Sequence, residues 1–157
     1  MLRRSTDALP RLGLVSKDGH MRRVRELEIW SKPGRILPAE FGKDLARELR
    51  GEGVAEDVIL GLSNVPHSVD LQNLRTSMQR GELAEHDYLQ FCAQRQPPVD
   101  PTSPEAACLF LELSFGRVLA WLHVPEDQEA IMIPDLIDRV KRRGLAVVDT
   151  AGGGLLL

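Results

Sequence analysis

Histidines at 20, 67, 86 and 123 and cysteines at 92 and 108 are the side chains here best suited to chemistry. A zinc site needs His or Cys ligands at short, repeated spacings. No two of these histidines share such a spacing, and no Cys-x-x-Cys occurs. His86 and Asp87 are adjacent, so a helix would splay them about 100° apart instead of forming a dyad. His123 lies between Leu122 and Val124 and is expected at the solvent end of a strand. A nucleophilic cysteine needs a thiolate beside a base. Cys92 falls inside an expected helix and Cys108 in an apolar run, so both are read as buried free thiols, not a disulfide framework. There is no Gly-x-Ser-x-Gly elbow, Walker lysine or dinucleotide fingerprint. Gly152-Gly153-Gly154 precedes only leucines, whereas a phosphate cradle needs a following helix. The run is expected to be a turn.

Carboxylates recur at helical spacing in Asp44/Glu48 and Asp135/Asp138. Solvated helix faces produce such pairs by default; a hydrolytic site would need them in a cleft with shifted acidity. Arginines gather in two places. Arg139, Lys141, Arg142 and Arg143 suit the end of a helix, where cations complement the dipole. Arg22, Arg23 and Arg25 lie beside Trp30, which neighbours a turn and is expected to be exposed. Because tryptophan and arginine are enriched at interfaces, these four residues form the candidate partner-binding group. Trp121, between Ala120 and Leu122, is read as a core residue. No catalytic residue is assigned.

The elements that would hold these residues divide into three parts. Residues 1–96 are expected to form a β-hairpin plus a helical part, 97–105 a proline-rich linker, and 106–157 a ββαβ part, together making one compact domain. Leu12–Val15 and His20–Val24 flank Asp18-Gly19, a turn signal because glycine accepts positive φ. Leu27 and Ile29 alternate with Glu26, Glu28 and Trp30 as in a half-buried strand. Phe41, Leu45 and Leu49 predict a helix that starts near Pro38 and closes at Gly51. A short helix is predicted over Val54–Leu62, one capped by Ser68, and one over Glu82–Arg95. Prolines 97, 98, 101 and 104 mark the boundary between sub-domains. Ala107–Leu113 and Arg117–Val124 are read as a hairpin around Ser-Phe-Gly; the competing reading is a buried helix starting at Ser103-Pro104, which periodicity alone does not separate. Pro134 is expected to start a helix ending at Gly144, followed by a buried strand at Leu145–Val148 and a last one at Leu155–Leu157. The fold class is therefore α+β: an N-terminal β-hairpin and strand, a central helical segment, and a small C-terminal antiparallel sheet with one packed helix.

At 157 residues, 43% hydrophobic and 27% charged, the chain can bury a core of aliphatic side chains. It contains no uncharged apolar run long enough for a membrane span, and its start is not read as a secretory signal. The net charge of −3 is unevenly placed. Residues 1–50 hold 12 Lys/Arg against 7 Asp/Glu, while the remainder holds 8 against 16. A basic N-terminal part can bind an external anion or dock on the acidic remainder of its own chain. The expectation is a cytoplasmic, non-enzymatic protein-binding or regulatory protein, of the kind that bacterial immunity and antitoxin partners represent, with another protein as partner. Charge complementarity would direct the part after residue 50 to a basic partner. Two readings compete with it: a small enzyme assembled from His67, His86, Asp70 and Asp87, and nucleic-acid binding through the basic N-terminal segment. No cofactor, metal or membrane is implied, and the oligomeric state is left open.

Overall fold

The structure is a computed structural model that describes residues 14–15, 21–149 and 154–155, with side-chain surroundings for residues 23–149. His20, the Asp18-Gly19 turn, the side chain of Arg22, Gly152-Gly153 and the last two leucines lie outside the described residues. The chain is an α+β protein with an antiparallel sheet. In chain order its elements are β1 (Leu14–Val15), β2 (Met21–Arg22), β3 (Val24–Trp30), α1 (Phe41–Gly51), β4 (Ile59–Gly61), α2 (Ser68–Gln79), α3 (Glu85–Gln94), α4 (Pro104–Phe115), β5 (Val118–Pro125), α5 (Glu129–Arg142), β6 (Ala146–Asp149) and β7 (Gly154–Leu155). They form two compact units. The described residues of the first are Pro33–Ile36 and Val65–Arg117; those of the second are the strands up to Lys32, Leu37–Asn64 and the chain from Val118 onward.

The second unit holds the sheet, in the order β4-β5-β3-β6-β7 with every neighbouring pair antiparallel. β1 and β2 pair separately, as the hairpin signal predicts. On one sheet face Leu27, Ile29, Ala120, Leu122, Val124, Ile59 and Val147 are buried in a single cluster with Leu45, Leu49, Leu136 and Val140 of α1 and α5. Phe41, Leu45 and Leu49 therefore share a face as their four-residue spacing implies. α1 lies unusually close to the sheet: a Cβ at Gly42 would fall inside the van der Waals spheres of the Leu119 and Leu62 carbonyl oxygens.

The first unit is helical. Leu74, Tyr88, Cys92, Ala106, Ala107, Phe110 and Leu111 form its core, and Phe110 meets Tyr88 and Phe91 edge-on at centroid distances of 5.2 and 5.0 Å. Residues 97–105, read from sequence as a boundary, run inside this unit. Val99 N–H donates to Cys92 O (3.1 Å) and Tyr88 Oη to Pro101 O (2.7 Å).

The expected hairpin over 106–124 is corrected. Its first half is α4, capped by Ser103 Oγ, which accepts the Ala106 N–H at 3.2 Å, and opened by Pro104. Ala106, Ala107, Cys108, Phe110 and Leu111 are all buried. A helix enclosed on most sides erases the 3.6-residue stripe by which helices are recognised, so the apolar run resembled a strand. Gly116, at φ 81°, stops the helix before β5. The short helix expected over 54–62 is also absent; β4 stands there, paired Ile59 to Leu122. α5 begins five residues before Pro134, which sits inside it. α2 takes its cap one residue earlier than expected: the Asp70 carboxylate accepts the His67 backbone N–H (3.0 Å), half of a capping box.

Candidate functional site

The residues suspected of chemistry are largely occupied in holding the fold. Asp70 is buried, and besides the His67 N–H it accepts Arg117 Nη1 at 2.8 Å. Burial is the largest influence on Arg117 and opposes its charge, but the bond to Asp70 together with the charges of Asp70 and Glu112 leaves the guanidinium pKa raised. His67, His86 and Asp87 are exposed, and among the described residues no hydrogen bond or ion pair between side chains joins any of the four residues of the enzymatic reading to another. Burial pushes the Cys108 thiol up to about 11 and raises the Tyr88 phenol. Both cysteines are buried and free, the opposite of a nucleophile's surroundings. Among the described residues no three His, Cys, Asp or Glu are grouped to hold a metal ion, and no helix is long and apolar enough to cross a membrane.

The second face of the sheet carries the polar residues of β3 and β5. Glu26 stands opposite His123, and Glu28 opposite Trp121. His123 Nε2 lies 3.2 Å from Glu26 Oε2, with both side chains largely buried; His123 is thus not the free strand-end residue expected. Trp30 is corrected more sharply. It is 6% exposed, and its Nε1 donates to Glu28 Oε1 at 3.1 Å. Trp121 Nε1 donates to the other Glu28 oxygen at 3.2 Å. A carboxylate only 1% exposed therefore gathers both indoles of the chain.

Of the arginines grouped with Trp30, Arg23 is exposed. Arg25, partly exposed, stands at the end of the core face, where it bridges Asp149 and Glu129 (3.1 Å to the latter). Those bonds, Asp149 first, raise its pKa. At this position the basic N-terminal part does meet the acidic remainder of its own chain.

The second arginine group is likewise paired. Arg139 reaches Asp135 (2.9 Å) and Glu52 (2.7 Å), Arg143 reaches Glu48 (2.6 Å) and Glu52, and Arg142 reaches Asp138. Glu52 is held below the ordinary carboxylate range, first by the Arg139 bond and then by Arg143. The carboxylate pairs at helical spacing are each taken up in the same way, since Asp44 also binds Arg47 at 3.2 Å.

Glu52, Asp135 and Arg139 of this ladder line a cleft of about 420 Å³ in the second unit, between the turn after α1 and helix α5. Its floor is apolar: Val54, Val58, Met132 and Leu136. Its rim is acidic, with Glu52, Asp57 and Asp135 against a single cation, Arg139. Glu56, Glu126 and Asp127 are exposed on the flanking turns. Ile131, one helical turn before Asp135, is the most exposed large apolar side chain described, at 78%. Sequence reasoning missed this cleft because its two walls are far apart in the chain. The available signal was the acidic, weakly structured stretch 52–57.

Comparison with protein-family models, with characterised proteins and with solved structures finds no match to this chain.

Proposed function

We propose that this chain is a non-enzymatic binding protein, of the regulatory or immunity type, that engages another protein through the cleft beside α5. One observation carries the reading: an apolar floor of Val54 and Met132 is left open inside a carboxylate rim. An apolar centre with a polar surround is the anatomy of a protein interface. A small-molecule site would instead bring a few convergent polar groups into an enclosed pocket. The internal pairing of Asp70, Arg117, Arg25 and Glu28 adds support, because groups bound this way are not poised for proton transfer.

The test is affinity capture from the source cells with the tagged chain, run beside Ile131→Asp combined with Asp57→Lys. Both positions are exposed, so circular dichroism should be unchanged. A protein recovered by the native chain and lost with the double variant is the expected result. Equal recovery by both, or no specific protein, would count against the cleft. The sequence offers an enzymatic reading in His67, His86, Asp70 and Asp87; the histidine–carboxylate side-chain contact among the described residues is instead Glu26–His123, and turnover of a substrate that His123→Gln abolishes would replace the binding reading.

A further inference from the structure

We infer that the occupant of this cleft is a basic segment of the partner, in which an apolar anchor residue is flanked by arginine or lysine. The inference rests on the binding reading above and adds the chemistry of what binds. Its first support is the uneven use of charge. Asp44, Glu48, Glu52, Glu129, Asp135, Asp138 and Asp149 each bind an arginine of this chain. Asp57, which lines the cleft on the same turn as Glu52, and its neighbour Glu56 carry no ion pair or side-chain hydrogen bond among the described residues. The chain pairs the carboxylates of α1 and α5 with its own arginines and leaves Glu56 and Asp57, beside the apolar floor, without a cation among the described residues.

The second support is geometric. One guanidinium, that of Arg139, already spans Glu52 and Asp135, which come from different elements. The wall is therefore spaced to accept planar cations, and Arg143 braces it by bonding Glu48 and Glu52 from behind. A wall held in place before binding loses less freedom when a partner arrives. A cation of the partner would continue this alternation onto Asp57, while Val54 and Met132 accept the anchor. Phosphate-bearing partners are disfavoured, since the rim would repel them.

The experiment uses the whole chain and three short fluorescent peptides in anisotropy titrations. The first carries one leucine flanked by arginines, the second has glutamate in place of arginine, and the third has serine in place of leucine. The first should bind about ten-fold tighter than the others, and more weakly as salt rises, as expected of an exposed charged rim. Asp57→Lys should weaken it by about ten-fold, whereas the same charge change at exposed Glu105 of α4 should leave it within about two-fold. Equal binding of all three peptides, or equal loss with Glu105→Lys, would overturn the inference by reducing it to net charge. If capture depends on the cleft but the peptides are not discriminated, the binding reading stands and the basic-segment inference fails. If neither assay depends on the cleft, both fail.

Discussion

Glu28 offers the sharpest test of how the sheet is held together. Its two oxygens each accept one indole N–H, from Trp30 at 3.1 Å and Trp121 at 3.2 Å. Hydrogen bonds to a charged group contribute about 1.5–3 kcal/mol each, and an orphaned buried donor costs about 1–3 kcal/mol. Glu28→Gln keeps one acceptor oxygen but turns an amide donor toward the other indole. That pits N–H against N–H, and the expected cost is about 2 kcal/mol. Glu28→Leu strands the Trp30 N–H completely, while half-buried Trp121 retains access to water; relief from burying a carboxylate offsets part of the loss. The net expectation for leucine is about 2–3 kcal/mol, or a fall of roughly 4–12 °C in Tm for a chain of this size. Urea unfolding followed by tryptophan fluorescence is the natural assay, because both reporters touch the altered side chain. The decisive measurement is a cycle with Trp30→Phe. That variant removes one donor, so Glu28→Gln in its background should cost only about 0.5–1 kcal/mol. An unchanged Glu28→Gln penalty in the Trp30→Phe background, or a Glu28→Leu variant as stable as the native chain, would refute the reasoning.

Three further outcomes follow from the same physics. Gly42→Ala should destabilise the second unit by at least about 1–3 kcal/mol, since a methyl group there meets two sheet carbonyls that cannot swing aside; chemical denaturation would show it, and a neutral effect would mean that α1 can lift from the sheet. Arg117→Met should cost about 3–5 kcal/mol by leaving Asp70 buried without its cation, and adding Asp70→Asn should recover part of the loss, whereas strictly additive costs would deny the coupling. Both thiols should resist a water-soluble disulfide reagent until denaturant is added. Because Cys108 is raised from 9.0 to about 11, the folded chain retains a proton that the unfolded chain releases in that window. Stability should therefore decline as pH rises from about 9 toward 11; rapid native labelling, or a flat profile there, would contradict the burial of this thiol.

Local rules made part of this molecule legible. The four-residue spacing of Phe41, Leu45 and Leu49 marked α1 because one helix stripe faces one core. Arg139, Lys141 and Arg142 marked the end of α5 because cations complement the dipole there. The segment Val54–Leu62 misled because three strand residues at a sheet edge carry no period long enough to read, and only pairing with β5 makes them a strand. Trp30 misled because a neighbouring turn suggests exposure, whereas its indole is buried and bonded to the buried Glu28 carboxylate.

What the sequence determined by itself is the α+β class, the hairpin at β1–β2, the helix-period segments, and the separation of a basic beginning from an acidic remainder. Each rests on residues within a few positions of one another, where backbone geometry and the pattern of apolar side chains are sufficient. Tertiary structure decided the rest. It enclosed α4 so fully that its amphipathic stripe vanished, gathered Trp30 and Trp121 on Glu28, and drew arginines to carboxylates 87 to 95 residues away. The cleft belongs to this second class: its walls come from distant stretches of chain, and no short-range pattern records which charges the fold will pair and which it will leave unpaired.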